Sequence, residues 1–170
     1  HRDLHSFPTR RSSDLTVAYD LIQDARHPDG RRLIDAESER RIREDLIGAG
    51  CADMEHWESD SNKGVAVLSL MAAVGRLENQ PGRVRRALDG LHRVMASRYH
   101  FDGFYSESPA YAAHNLSNMG ELPDLLYGYS DPPGFDPPGG GERVANLDPF
   151  SDGPVDRKST RLNSSHRIRS

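Results

Sequence analysis

The stretch RYHFDGFYSESPAYAAHNL, residues 98–116, holds the chain's densest set of side chains able to move protons or grip a ligand. Tyr105 and Tyr111 carry phenols, Glu107 a carboxylate, and His100 and His114 imidazoles. A phenol with its ordinary pKa of about 10 is protonated at neutral pH. It is therefore a natural proton donor, and it becomes a base only where nearby positive charge favours the phenolate. A carboxylate here can steady the loop by accepting backbone donors, or share acid–base work with a second carboxylate across a bond. Joining two helices needs none of this chemistry, and loops on a rigid scaffold often carry function.

The local grammar places these groups. Asp102-Gly103 supplies a tight turn. Ser108 is expected to cap a helix that has Pro109 in its first turn. Tyr111 then falls in that first turn, and His114 lies one turn later on the same side. Upstream, a polar connection over 51–62 carries His56, Trp57 and Asn62. Trp57 can lay its flat apolar face on a ring-shaped ligand, with His56 beside it, or sit at the core edge. Asn62 can offer its amide to a ligand or cap the apolar helix that follows. Tyr105 can stack on a ligand or pack inside, and a tyrosine at a helix start is commonly a half-buried packing residue. Arg83, Arg85, Arg86 and Arg93 form either a strip for a polyanion or a solvated helix face. His100 reads as a loop-packing residue. No His, Asp and Glu set has metal-ligand spacing, and a single Cys forms neither an internal disulfide nor a multi-cysteine cage.

The elements that position these residues are helical. Val17, Leu21, Ile22 and Ala25 recur at helical spacing over 17–26, and His27-Pro28-Asp29-Gly30 breaks the chain. A second helix is predicted from Asp35, whose side chain can cap it, to Gly48 or Gly50, with a charged outer face. The third, 63–78, is apolar nearly all round and should be buried on most sides. Gln80-Pro81-Gly82 ends it. The fourth, 83–98, shows Val84, Leu88, Leu91 and Met95 on one face. A fifth is expected over 111–127. Beyond Tyr127 the chain reads as loop, with four Pro and four Gly in DPPGFDPPGGG. No period-2 strand run stands out. The pattern predicts an all-α domain of paired antiparallel helices with more apolar helices inside, wrapped as a ring and not as a short-repeat solenoid.

Composition sets outer limits. The chain has 170 residues and a mean hydropathy of −0.73. No apolar run approaches the roughly 20 residues of a membrane helix, so membrane insertion is not expected. Both ends, HRDLHSFPTRRSSDL (1–15) and DRKSTRLNSSHRIRS (156–170), back-translate to sequencing-adapter sequence and are set aside as non-native. The native portion is then a fragment, with a helical domain at 16–128 and a Pro/Gly-rich loop at 129–155. Between 16 and 155 there are 14 Lys and Arg against 23 Asp and Glu, a formal charge of −9. That acidity argues against nonspecific binding of nucleic acid or anionic membrane.

The pattern DG-x-Y-x-E-S-P-x-Y, Asp102 to Tyr111, resembles the segment shared by heparinase II/III-like polysaccharide lyases and related alginate lyases. The upstream order is similar too: a charged helix, Trp57, then Asn62 opening an apolar helix. The resemblance covers most of 16–127. It implies a partial (α/α) toroid, truncated before the β-sandwich domain of the family, and β-elimination of an acidic, uronic-acid-containing polysaccharide. It implies no cofactor, and export to the periplasm or beyond. The family's motif tyrosine maps to Tyr111 and its asparagine to Asn62. In that role Asn62 hydrogen-bonds the uronate carboxylate and stabilises the developing enediolate, while Tyr111 passes a proton to the leaving glycosidic oxygen. The family's further catalytic His and Arg have no counterparts before Val155, so the fragment alone is expected to be inactive. Two other readings stand beside this one. A toroid hydrolase would use Glu107 as acid with a second carboxylate. A non-enzymatic helical module would bind a partner in a groove and show an exposed apolar stripe.

Overall fold

The computed structural model describes residues 7–61, 64–100, 104–119 and 121–151, with side chains from residue 14 onward. Among these residues the chain is all-α: helices and turns, two isolated β-bridges and no strand. Its centre is α4 (Gly64–Leu77), whose sequence GVAVLSLMAAVGRL is buried from Gly64 to Gly75 apart from Ala66. A helix apolar on every side requires neighbours on every side. α5 (Pro81–Arg98) is the principal one, running back antiparallel along it. The predicted stripe Val84, Leu88, Leu91 and Met95 is buried, joined by Ala87 and Val94. Pro81 opens α5 in its first turn, where its missing N–H is no loss.

Two glycines let these helices approach closely. A Cβ on Gly90 would stand 2.4 Å from Leu68 Cδ2, and one on Gly75 would stand 2.8 Å from Val84 Cγ2. Burying the facing Leu and Val side chains contributes about 1.5–3 kcal/mol each relative to exposure.

The remaining elements pack around this pair. α1 (Phe7–Ile22) lies against α4 and reaches back across residue 15 into the stretch read as adapter-derived. From residue 14 onward its buried residues are Thr16 and Tyr19, whereas Val17 and Ile22 are exposed and Leu21 is 79% exposed. The predicted apolar face of this helix is thus corrected. Tyr19 is the residue that turns inward, with its hydroxyl donating to Glu39 Oε1 at 3.2 Å. The helix also stops at Ile22, because a tight reversal follows in which Leu33 N–H donates to Ala25 O and Gly30 takes φ +85°.

Asp35 caps α2 (Ala36–Arg41) as predicted, accepting from the Ser38 N–H at 2.8 Å. The predicted stop at Gly48 or Gly50 is wrong. The chain continues as a π-helical turn, Ile42–Gly48, then α3 (Ala49–Met54), then a 3-10 turn, Glu55–Trp57. Gly48 has right-handed helical angles, φ −66° and ψ −49°, so it is no left-handed cap. Its missing Cβ makes room for Arg43 O, which would lie 2.9 Å away.

The predicted fifth helix divides into α6 (Pro109–Met119) and α7 (Leu122–Leu126). Pro123 cannot continue a helix from Met119, lacking the N–H and colliding with the carbonyl four residues back. Arg76 of α4 caps the far end of α7, donating to Leu125 O at 2.8 Å and Tyr127 O at 3.0 Å.

The segment after Tyr127 is loop, as predicted, and it is firmly held. Backbone bonds join Gly128 N–H to Leu147 O, Asp131 N–H to Val144 O and Leu147 N–H to Tyr129 O, at 2.8–2.9 Å. At their centre the Asp131 carboxylate, 0% exposed, accepts from Val144 N–H at 2.7 Å, Tyr129 Oη at 3.0 Å and Arg85 Nη1 at 3.3 Å. Arg85 also donates to Glu142 O, so α5 anchors both arms of the loop.

Candidate functional site

Two short segments meet at one end of the α4–α5 pair: residues 55–61, which lead into α4, and residues 98–108, which connect α5 to α6. In the second, the described arms 98–100 and 104–106 pair with each other in antiparallel fashion. His100 N–H donates to Phe104 O and Ser106 N–H to Arg98 O, each at 2.8 Å, and Tyr99 pairs with Tyr105. His100 takes part through its backbone, and its side chain is exposed.

The paired arms stand on a buried aromatic and polar cluster. The Tyr99 and Tyr105 rings meet edge to face at 5.1 Å, and Tyr99 Oη donates to Asn115 Oδ1 at 3.0 Å. Tyr105 is only 4% exposed, so its ring faces are covered by protein and the packing role is the one observed. Of the two readings the sequence left open for Tyr105, stacking on a ligand and packing inside, the buried ring has the geometry of packing. Burial pushes both phenols above their ordinary range. For Tyr99 the neighbouring Tyr105 adds to this, and for Tyr105 the Glu107 charge raises and Arg98 lowers. Neither can ionise usefully near neutrality. Asn115 is fully buried, and its Nδ2 has no hydrogen-bond partner among the described residues.

Tyr111 stands apart from this cluster. It is 51% exposed in the first turn of α6, with its backbone N–H donating to Ser108 Oγ at 3.3 Å. Ser108 and Pro109 act as the sequence predicted. His114 is exposed on the same helix. Glu107 is half-exposed, and among the described residues its partner is Arg98, Oε1 to Nη1 at 3.6 Å. The expectation that it accepts backbone donors is replaced by this ion pair.

Asn62 and the Asp102-Gly103 turn lie outside the described residues. The cap of α4 that is visible comes from Ser61, whose Oγ accepts from Gly64 N–H at 3.2 Å. His56 and Trp57 share the 3-10 turn, their rings 5.5 Å apart, and Trp57 is 61% exposed. An indole at such exposure is available to a flat ligand.

Around Trp57 lies an ion-pair ladder that the sequence did not foretell. Glu55 holds Arg83 at 2.5 Å and Arg86 at 3.3 Å. Glu58 holds Arg86 at 2.9 Å and pairs closely with Arg93. Ser97 Oγ donates to Asp60 Oδ2, and Arg98 Nε to Asp60 O at 3.0 Å. The arginines of α5 are therefore neither a bare polyanion strip nor a free solvated face. They dock the 55–60 segment onto the helix, and Arg85 serves the separate Asp131 clasp. The signal was present as opposite charges in two segments, but their pairing is tertiary.

Arg98 is the residue that sequence reasoning missed. Its side chain joins the two halves of the site: Asp60 on the approach to α4, and Glu107 on the approach to α6. Among the described residues no group of three or more His, Cys, Asp and Glu is arranged to hold a metal ion, and no helix is long and apolar enough to cross a membrane. No protein-family model, curated protein or solved structure matches the chain.

Proposed function

We propose that the chain is part of a polysaccharide lyase that cleaves a uronic-acid-containing polysaccharide by β-elimination. The observation that carries this reading is the Asp102–Tyr111 pattern, DG-x-Y-x-E-S-P-x-Y, whose final tyrosine is solvent-accessible at the start of α6. The antiparallel α4–α5 pair, apolar helix inside and charged helix outside, is read as one turn of an (α/α) toroid. A β-sandwich and the family's His and Arg would belong to the longer protein.

The chemistry follows from the groups. The proton beside a uronate carboxylate is weakly acidic while that carboxylate is fully charged. A neutral amide donor, assigned to Asn62, stabilises the charge that develops when a base, assigned to the family's His in the longer protein, takes that proton. Tyr111 supplies a proton to the departing glycosidic oxygen. Trp57 offers an apolar face for a sugar ring, with His56 beside it. By the same resemblance the protein is exported, to the periplasm or outside the cell.

The test is made on the full-length gene product. Unsaturated uronate, followed by its ultraviolet absorbance, should form from an acidic polysaccharide and should vanish in Tyr111→Phe. Retained activity in that variant removes Tyr111 from its role. Release of saturated sugars instead would favour the hydrolase reading.

One observation favours the helical binding module as a second reading. Val17 and Leu21 of α1 line an exposed groove with Leu125 of α7, the apolar stripe such a module needs. Normal function of the full-length product after replacement of both Tyr111 and Asn62 would support it.

A further inference from the structure

We infer that Arg98 is a carboxylate-binding residue, and that Glu107 occupies in the free protein the place a ligand carboxylate takes in the complex. The identity of that ligand as a uronate rests on the lyase reading. The geometry of the arginine does not.

Guanidinium presents five donors in a flat fork, suited to gripping a carboxylate along one edge. In Arg98 the Nε–H is committed to Asp60 O at 3.0 Å, which fixes the plane of the group. The Nη1 corner faces Glu107 Oε1 at 3.6 Å, beyond hydrogen-bond length. The contrast with the rest of α5 is informative. Arg83 holds Glu55 at 2.5 Å, and Arg86 holds Glu58 at 2.9 Å. Arg85 is taken up by the wholly buried Asp131. Arg93 reaches Asp60 only at 3.7 Å but is taken up by its close pair with Glu58, whereas the carboxylate that Arg98 faces among the described residues is loosely held and half-exposed.

The segments it ties together carry the exposed Trp57, three residues before Asp60, and the exposed Tyr111, four residues after Glu107. A pre-oriented cation loses little entropy on gripping an anion, and displacement of Glu107 costs little because exposed ion pairs are weak. This also eases an evident conflict. A chain of −9 between 16 and 155 is a poor general attractor of polyanions, but a single oriented arginine can recognise one carboxylate at short range.

The test is titration calorimetry of this chain with a mannuronate tetramer, its carboxyl-reduced neutral counterpart, and oligoglutamate. Trp57, the single tryptophan, serves as a fluorescence reporter. Folding of each variant is checked by circular dichroism. The tetramer should bind about ten-fold more weakly to Arg98→Ala. Arg98→Lys, which keeps the charge without the fork, should also weaken it and covers the case of an unfolded alanine variant. Glu107→Gln should bind the tetramer about two- to five-fold more tightly, because a competing carboxylate is gone. A purely structural ion pair predicts no gain there. The neutral counterpart should respond to neither change.

Tetramer binding indifferent to Arg98 and Glu107 would overturn the inference and leave the lyase reading standing. Arg98-dependent binding of oligoglutamate without binding of the tetramer would keep the carboxylate site and overturn its assignment to a uronate. Binding of neither acid would overturn both.

Discussion

The Asp131 clasp should be worth a measurable share of the fold, and its removal can be worked through from its contacts. Asp131→Ala deletes an acceptor of three bonds, leaving the Val144 N–H, the Tyr129 hydroxyl and the Arg85 guanidinium without it. Each stranded neutral donor costs about 1–1.5 kcal/mol. Breaking a buried ion pair by removing one partner costs about 3–5 kcal/mol when the remaining charge is fully enclosed. Arg85 keeps some solvent access and its bond to Glu142 O, which reduces that figure. The expected loss is therefore about 3–4 kcal/mol for Asp131→Ala. Asp131→Asn keeps shape and two of the bonds, since the Tyr129 hydroxyl can turn to accept, so its loss should be about 1–2 kcal/mol. Urea denaturation measures both. With a slope of about 1–3 kcal/mol per molar, the urea midpoint of the alanine variant should fall by about 1–4 M. Amide exchange should locate the damage at Gly128, Asp131, Val144 and Leu147. A loss below about 1 kcal/mol for alanine, with those amides still protected, would refute the claim that this carboxylate holds the loop.

Other outcomes follow from the same reasoning. Gly90→Ala should destabilise by about 1–2 kcal/mol in thermal or urea unfolding, because overpacking against Leu68 outweighs the better helix propensity. In Leu68→Ala/Gly90→Ala the added methyl enters the vacated space, so the double variant should be more stable than additivity predicts. Cys51, fully buried and pushed by burial up to about 11 from 9.0, should resist thiol reagents in the native protein at pH 8 and react on unfolding. A raised thiol pKa keeps the folded state protonated while the unfolded chain ionises. Its stabilisation is thus whole below pH 9 and falls by about 2–3 kcal/mol as the pH rises to 11, readable as an alkaline drop in Tm. Tyr99 and Tyr129, raised chiefly by burial, should extend that decline to still higher pH.

The sequence displayed the α4–α5 pair clearly, because an all-apolar helix beside a one-sided helix leaves little choice of arrangement. It misled at α1, where Val17 and Leu21 have the right spacing but Thr16 and Tyr19 face α4. Spacing cannot say which of two adjacent faces a neighbour covers. It misled again at Gly48, since the same residue that caps helices also permits a close carbonyl contact. At the site, Ser108, Pro109 and the place of Tyr111 in the first turn of α6 were readable from local capping rules. Tyr105 was not, since a tyrosine in a loop has one pattern whether it stacks outside or packs inside. Arg98 was invisible because its partners lie 38 and 9 residues away along the chain.

The π-helical turn at Ile42–Gly48 is a place where the helix can give up length without losing phase. Ala49 N–H reaches back five residues to Glu44 O, so the turn holds one residue more than an α-helix would. Deleting one of its residues would let the backbone relax to α geometry with the segments on either side close to their present orientation. A residue lost from α3 has no such slack: it would turn Glu55 by roughly 100° about the helix axis, away from Arg83 and Arg86. The ladder that docks the 55–60 segment onto α5 is in this sense phased, like a gear tooth, with its play in the turn before it.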